Sequence, residues 1–264
     1  MILTSPYSLE YVPKKIISLV PSQTELLHYL ELENETIGIT KFCIHPQSWF
    51  QAKTRIGGTK SLNIEKIKEL NPDLIISNSE ENVKEEVEFL ATMFPVWVTH
   101  ITDLNSSIKM IDDIGQLTEK QALANMLQSE IKQKFLNLKT VISSIRQPLI
   151  RTCYLIWREP IMTIGGDTFI NDMLRACGFQ NIFEESVRYP VIENEEFKRL
   201  DCSLILLSSE PYPFSEKHMA EFQAYFPKAK LLVVDGEMFS WYGSRLLEAP
   251  EYFEELVRSL QGCF

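Results

Sequence analysis

The sequence predicts an α/β protein of two Rossmann-like, parallel-sheet lobes joined by one long rigid helix, and three observations carry that reading. Short β-rich runs alternate with helix-period segments along the whole 264-residue chain, the pattern of parallel strands with helical crossovers. Midway, Leu123, Leu127, Ile131, Phe135, Leu138, Ile142 and Ile145 step by three or four residues, which puts one apolar stripe on one helix. Few turn signals interrupt Thr118 to Arg146, so this helix reads as a stiff connector and not as a return within one sheet. The expected division is a first lobe over 1–115, the connector over 116–147 and a second lobe over 148–264. Two lobes held by a rod should form a cleft that cannot hinge wide.

In the first lobe, strands are expected at Ile16 to Val20, Thr36 to Thr40, Asp73 to Ser77 and Val96 to Thr99, each a short apolar run bounded by polar or turn residues. Helices are expected near Ser22 to Leu30, Asn63 to Leu70 and Asn82 to Met93. Asn71-Pro72 closes the second, because proline disfavours helical geometry in the residue before it. The second lobe repeats the rhythm, with strands near Ile150 to Trp157, Ser203 to Leu207 and Leu231 to Val234. Its helices are expected near Thr168 to Cys177, Glu193 to Arg199, Ser215 to Phe226 and Pro250 to Gln261.

Composition excludes several classes of function. A formal net charge of -10 argues against nucleic acid, whose binders cluster Lys and Arg to displace counterions. No apolar run approaches the ~20 residues that span a bilayer, so the chain is not expected to be membrane-embedded. The five cysteines, Cys43, Cys153, Cys177, Cys202 and Cys263, are scattered without a CxxC pair and read as reduced thiols. The N-terminal segment lacks the pattern of a secretory signal. The chain therefore reads as cytoplasmic as it stands, and as periplasmic if a leader has been trimmed.

Several motifs mark the carboxyl ends of strands. Ser22 and Glu25 fit a capping box, at a strand-to-helix junction where open α/β sheets also place ligands. That junction would bring a helix N-terminus, with its partial positive charge, to the rim of the cleft. Lys41-Phe42-Cys43-Ile44-His45-Pro46 follows the second strand. Cys43 and His45 are two ligand types out of the three or four a metal needs, so no protein-only metal site is predicted; His45 is the candidate for touching a ligand. Arg55-Ile56-Gly57-Gly58-Thr59 and Thr163-Ile164-Gly165-Gly166-Asp167-Thr168 are double-glycine turns. They suit either tight turns, with Asp167 or Thr168 capping the next helix, or close backbone approach to a ligand. Neither matches a dinucleotide or P-loop fingerprint, and no nucleophile elbow is present. Trp97, Trp157, Tyr189, Phe239, Trp241 and Tyr242 fall at strand ends or in loops, where rings can sandwich a large, planar guest.

Together the ordered segments IISLVPSQTELL, KFCIHP, RIGGTK, LNIEKIKELNPDLII, PVWV, MTIGGDTFINDMLRACGFQNIF and SSEPYPF resemble the cobalamin and iron-chelate receptors of ATP-driven import systems. These are the helical-backbone substrate-binding proteins, and the likeness is nearest to the cobalamin branch, over about Lys15 to Gln261. The resemblance implies a non-catalytic protein with no cofactor of its own, gripping a corrinoid or ferric chelate such as a siderophore complex and delivering it to an ABC permease. Carried over by position, it implies ligand contacts at His45, Trp97, Trp157, Tyr189, Phe239, Trp241 and Arg245. It implies permease docking through one glutamate per lobe: Glu195 in the second, and Glu81, Glu85 or Glu86 in the first. Two alternatives remain at this point: a cytosolic corrinoid or metal-chelate carrier or sensor on the same scaffold, and a metal-dependent enzyme using Cys43 and His45.

Overall fold

A computed structural model of the chain describes residues 1–145 and 149–264, and they fall into two compact units. The first contains residues 1–101, 105–131 and 241–245; the second contains 102–104, 132–240 and 246–264. The expected boundary after residue 147 lies outside the described residues, as does Arg146 at the end of the expected connector.

In the first unit the elements run β1 (Ile2–Leu3), β2 (Ile16–Ser18), α1 (Pro21–Tyr29), β3 (Thr36–Ile39), α2 (Gln47–Ala52), β4 (Thr54–Arg55), β5 (Gly57–Gly58), β6 (Ser61–Leu62), α3 (Ile64–Leu70), β7 (Leu74–Asn78), α4 (Lys84–Ala91), β8 (Val96–Thr99) and α5 (Leu104–Leu117). Six strands form one wholly parallel sheet in the order β1-β8-β7-β2-β3-β4. The central strands β2 and β7 are buried at every residue, as a parallel sheet covered on both faces demands, and this is why they read as continuous apolar runs. A small antiparallel hairpin of β5 and β6 stands apart, with Gly57 at φ 104°, in the left-handed region that glycine tolerates.

Most expected elements are present within two residues. In the first unit β1, the short strands β4 to β6 and helices α2 and α5 have no counterpart among the expected elements. Two residues carry no period, so β1 is invisible locally and is created by pairing with Val96 and Trp97. The α5 segment does carry a helical signal, in Ile108, Ile111 and Ile114, all buried. At α1 the expected capping box is not formed. Pro21 occupies the first helical position and Val20 the N-cap, because proline's fixed φ and missing N–H suit that position. Ser22 is thereby drawn into the helix and buried.

Helix α6 (Gln121–Ser144) runs for 24 residues, about 36 Å at the usual rise. Its first half belongs to the first unit and its second half to the second. Leu127, Ile131, Phe135 and Leu138 of the predicted stripe are buried, while Leu123 and Ile142 are half-buried.

The second unit comprises β9 (Ile150–Leu155), α7 (Phe169–Ala176), β10 (Phe179–Asn181), α8 (Asn194–Phe197), β11 (Leu204–Ser208), α9 (Glu216–Gln223), β12 (Lys230–Val234), α10 (Gly236–Ser240) and α11 (Ala249–Ser259). Its four strands are again all parallel, in the order β10-β9-β11-β12. The short elements β10 and α10 go beyond the sequence expectation. Thr168 caps α7, its hydroxyl accepting from the Asn171 N–H. The preceding Gly165 and Gly166 lie so close to the 184–187 backbone that an added Cβ on Gly166 would sit 2.0 Å from the Glu184 carbonyl oxygen. Their role is therefore close approach to the protein's own backbone. Among the described residues no helix is long and apolar enough to cross a membrane.

Because α6 depends on its stripe, truncating the fully buried Ile131 to Ala should cost about 2–5 kcal/mol by removing buried methylenes and leaving a void. Met126→Ala, at a position 65% exposed, should stay within about 0.5 kcal/mol of the parent. Urea unfolding followed by circular dichroism measures both.

Candidate functional site

In each unit every main-sheet strand ends on the same side, so the loops that follow them gather along one edge. In the first unit this carboxyl edge carries Leu19 to Pro21 after β2, Thr40 to His45 after β3, Ser79 to Asn82 after β7 and His100 after β8. Residues 241–245 complete it, packing with this unit although they come from late in the chain.

The edge is knitted by side chains that the strand ends leave behind. Thr99 Oγ1 receives Gln23 Nε2 at 2.5 Å and Asn78 Nδ2 at 3.2 Å, and donates to the Ser77 carbonyl at 3.0 Å. Asn82 Nδ2 donates to the carbonyls of Leu19 and Thr59. Beneath the β3 loop, Thr24 Oγ1 lies 2.8 Å from Ser18 Oγ and 3.1 Å from Cys43 Sγ, with Thr40 Oγ1 3.2 Å from the same sulfur. Cys43 is fully buried. Burial pushes its thiol up, outweighing the opposing hydroxyl bonds, so Cys43 is a packed thiol and not a poised metal ligand.

Residues 241–245 dock through three side chains. Arg245 Nη2 meets Glu25 Oε1 at 2.6 Å, with the two side chains only 10% and 19% exposed. The Tyr242 hydroxyl donates to Glu81 Oε1 at 2.8 Å. Trp241 packs edge-on against His45, ring centres 5.4 Å apart, and lies under the Arg245 guanidinium at 5.3 Å. Gly243, at φ 102°, allows the chain to turn over Leu26. Burial, reinforced by the Glu81 carboxylate, raises the Tyr242 phenol well above its ordinary value.

Of the residues named from sequence, the fold thus brings His45, Trp241 and Arg245 together, and joins them to Glu25, Tyr242 and Glu81. Three assignments are corrected. Trp97 is not at a strand end: it is the second residue of β8 and buried between neighbouring strands. Phe239 lies in α10, not in a loop, fully buried against Tyr154 and Phe253 at 5.3 and 4.7 Å, where it serves as core. Glu81 is half-buried and holds Tyr242, so its carboxylate belongs to this edge and is not displayed to a partner. Glu86 accepts from the Leu62 N–H, whereas Glu85 is exposed on the first turn of α4.

In the second unit Trp157, just beyond β9, is 38% exposed. Its indole N–H donates to the Glu159 carbonyl at 3.0 Å, and its ring stands edge-on to Tyr212 at 5.7 Å. Met162 bridges antiparallel to both Trp157 and Val191, and this lays the Tyr189 segment beside the Trp157 segment. Tyr189 is half-buried. Glu195, on α8, has a side chain 71% exposed and paired with Lys198 at 2.8 Å. Sequence reasoning missed Gln23, Asn78, Asn82, Thr99 and Tyr212. Their one local signal is polar residues ending or closely following otherwise apolar strands.

Residues 16–228 match the family model described as periplasmic binding protein. The chain is 26% identical over 197 residues to the vitamin B12-binding protein of Vibrio cholerae, covering 74% of this chain and 69% of that one. It is 24% identical over 258 residues to an ABC transporter substrate-binding lipoprotein of Bacillus subtilis, covering 93% and 80%. Among solved structures, the periplasmic vitamin B12-binding protein of Vibrio cholerae superposes with a TM-score of 0.81 at 21% identity, over 95% of this chain and 98% of that one. A periplasmic heme-binding protein of Pseudomonas aeruginosa gives 0.81 at 18% identity, over 93% of each.

The raised Tyr242 phenol has a defined pH signature. Folding holds this group protonated, so its contribution is fully present below the unfolded tyrosine value of about 10 and is lost as pH rises from there through the folded value. Tyr242→Phe should cost about 1–2 kcal/mol at neutral pH by removing a hydrogen bond to a carboxylate. It should also lose less stability than the parent between about pH 9 and pH 11, as read by urea midpoints at each pH.

Proposed function

Because the chain belongs to the periplasmic binding protein family, we propose that it is the receptor of an ABC importer whose cargo is a corrinoid or a ferric chelate. Its relatives are transport components, and the chain is a binding protein and not an enzyme. The observation that supports this cargo class best is Trp157. Its polar edge is already satisfied and its ring is braced by Tyr212, so a ring of a residue that is 38% exposed is held at fixed orientation. A rigid aromatic face of this kind suits a large planar guest, whose burial yields roughly 25 cal/mol per Å² before ordering costs.

We assign ligand contact to Trp157 and Tyr189 in the second unit and to His45 in the first, where Trp241 packs edge-on against His45 and carries the Arg245 guanidinium over its ring. Permease docking is assigned to Glu85 and Glu195, the exposed members of the glutamate set. The protein's place of work, on this reading, is outside the cytoplasmic membrane, which fractionation of the source cells with an antibody to the chain checks directly.

Tryptophan fluorescence titrated with cobalamin, cobinamide, haem and a panel of ferric siderophores should show quenching at micromolar or lower concentration for one class. Trp157→Ala should bind that ligand about 5- to 30-fold more weakly, since one aromatic anchor is worth roughly 1–2 kcal/mol. Undiminished binding by this variant would contradict the placement of the site. Glu85→Lys and Glu195→Lys should leave ligand affinity unchanged and abolish stimulation of the partner permease's ATPase in reconstituted vesicles. Full stimulation by both would remove the docking assignment.

A further inference from the structure

A groove of about 570 Å³ opens on the second unit between the latter half of α6 and α7, and every residue lining it belongs to a helix and to this unit. It shares no residue with the strand-end loops that carry Trp157 and Tyr189. On α6, Lys132, Phe135, Leu136, Lys139 and Ile142 recur every three or four residues, which puts them on one face. Phe135 and Leu138, with Met173 of α7, are buried and form the floor. Leu136 is 57% exposed at the margin and Ile142 is half-buried. The volume falls in the range of small-molecule sites, roughly 300–1,000 Å³.

The rim is basic, on a chain whose formal net charge is -10. From Ile131 to Ser144, α6 carries Lys132, Lys134 and Lys139 and no carboxylate. Lys134 donates to the Leu247 carbonyl at 3.0 Å. Lys132 and Lys139 stand one turn to either side of Leu136, exposed, and among the described residues neither has an ion-pair partner. The other charges at the groove are committed. Arg175 pairs with Glu184, and the Asp172 carboxylate accepts from the Leu104 N–H at 2.8 Å.

We propose that this groove is a second binding site of the protein, for a single long-chain anionic amphiphile such as a fatty acid carboxylate. The chain lies on the apolar floor, where each buried methylene adds to affinity. The head meets Lys132 and Lys139, whose long stems let the ammonium groups stay in water while their charge faces the anion. A bilayer presses on convex faces, and this one is concave. The site goes beyond the receptor reading and does not depend on it.

Dansyl-labelled undecanoate, kept below micelle formation, tests the site through its fluorescence enhancement. The parent should bind it at micromolar concentration and bind its methyl ester about 5-fold or more weakly, since only the acid offers the lysines a charge. The Lys132→Glu, Lys139→Glu double variant should keep the parent's urea midpoint, bind the acid about 10-fold or more weakly and lose the preference for acid over ester. Ala176→Phe, which fills the groove from the end of α7, should weaken acid and ester alike. No binding by the parent, equal binding of acid and ester, or unchanged binding by the lysine variant would overturn the proposal. Sedimentation of the protein with phosphatidylglycerol vesicles, without uptake of the soluble probe, would assign the face to a bilayer and overturn it as well.

Discussion

Parallel pairing is the constraint on which the rest of the structure depends. Parallel strands must be joined by crossovers, so each chain segment leaves its sheet at the same edge and returns from the other. Every strand of the two main sheets, six in one and four in the other, obeys this rule. The loops that follow them are therefore concentrated along one edge of each unit, where side chains far apart in sequence become neighbours. The interior of each sheet needs only apolar bulk, whereas the edge must satisfy the backbone and side-chain polar groups exposed where the ladders stop.

The first unit meets that demand with a tightly bonded set of neutral side chains, Gln23, Asn78, Asn82 and Thr99, and with a segment borrowed from late in the chain. Residues 241–245 bring a guanidinium to Glu25 and a phenol to Glu81. A carboxylate drawn half out of water is costly without such a partner. The same contacts place Trp241 against His45, so the packing of the edge and the orientation of a candidate ligand-contacting ring rest on common residues.

The tryptophans divide sharply by exposure. Trp49, Trp97 and Trp241 are at most 7% exposed, whereas Trp157 is 38% exposed. Rings used as core fill volume and are held by neighbours on several sides; a ring used for recognition must keep a face in water while its polar edge is satisfied. The bond from Trp157 to the Glu159 carbonyl and the brace from Tyr212 satisfy its polar edge and fix its orientation.

The amino-acid sequence by itself determined the α/β class, the positions of the main strands, the long helix and its buried stripe, because these depend on periodicity and burial within a few turns of chain. The candidates His45 and Trp157 also come from the sequence, since they follow strands that are locally legible. Only the tertiary structure decided that Ser22 is inside its helix, that Glu25 and Glu81 serve Arg245 and Tyr242, that Trp97 and Phe239 are core, and that Ile2 and Leu3 form a strand. Arg245 lies 220 positions from Glu25 and Tyr242 161 from Glu81, and the core assignments depend on which face a neighbouring element covers. Neither proximity in space nor coverage is written in local pattern.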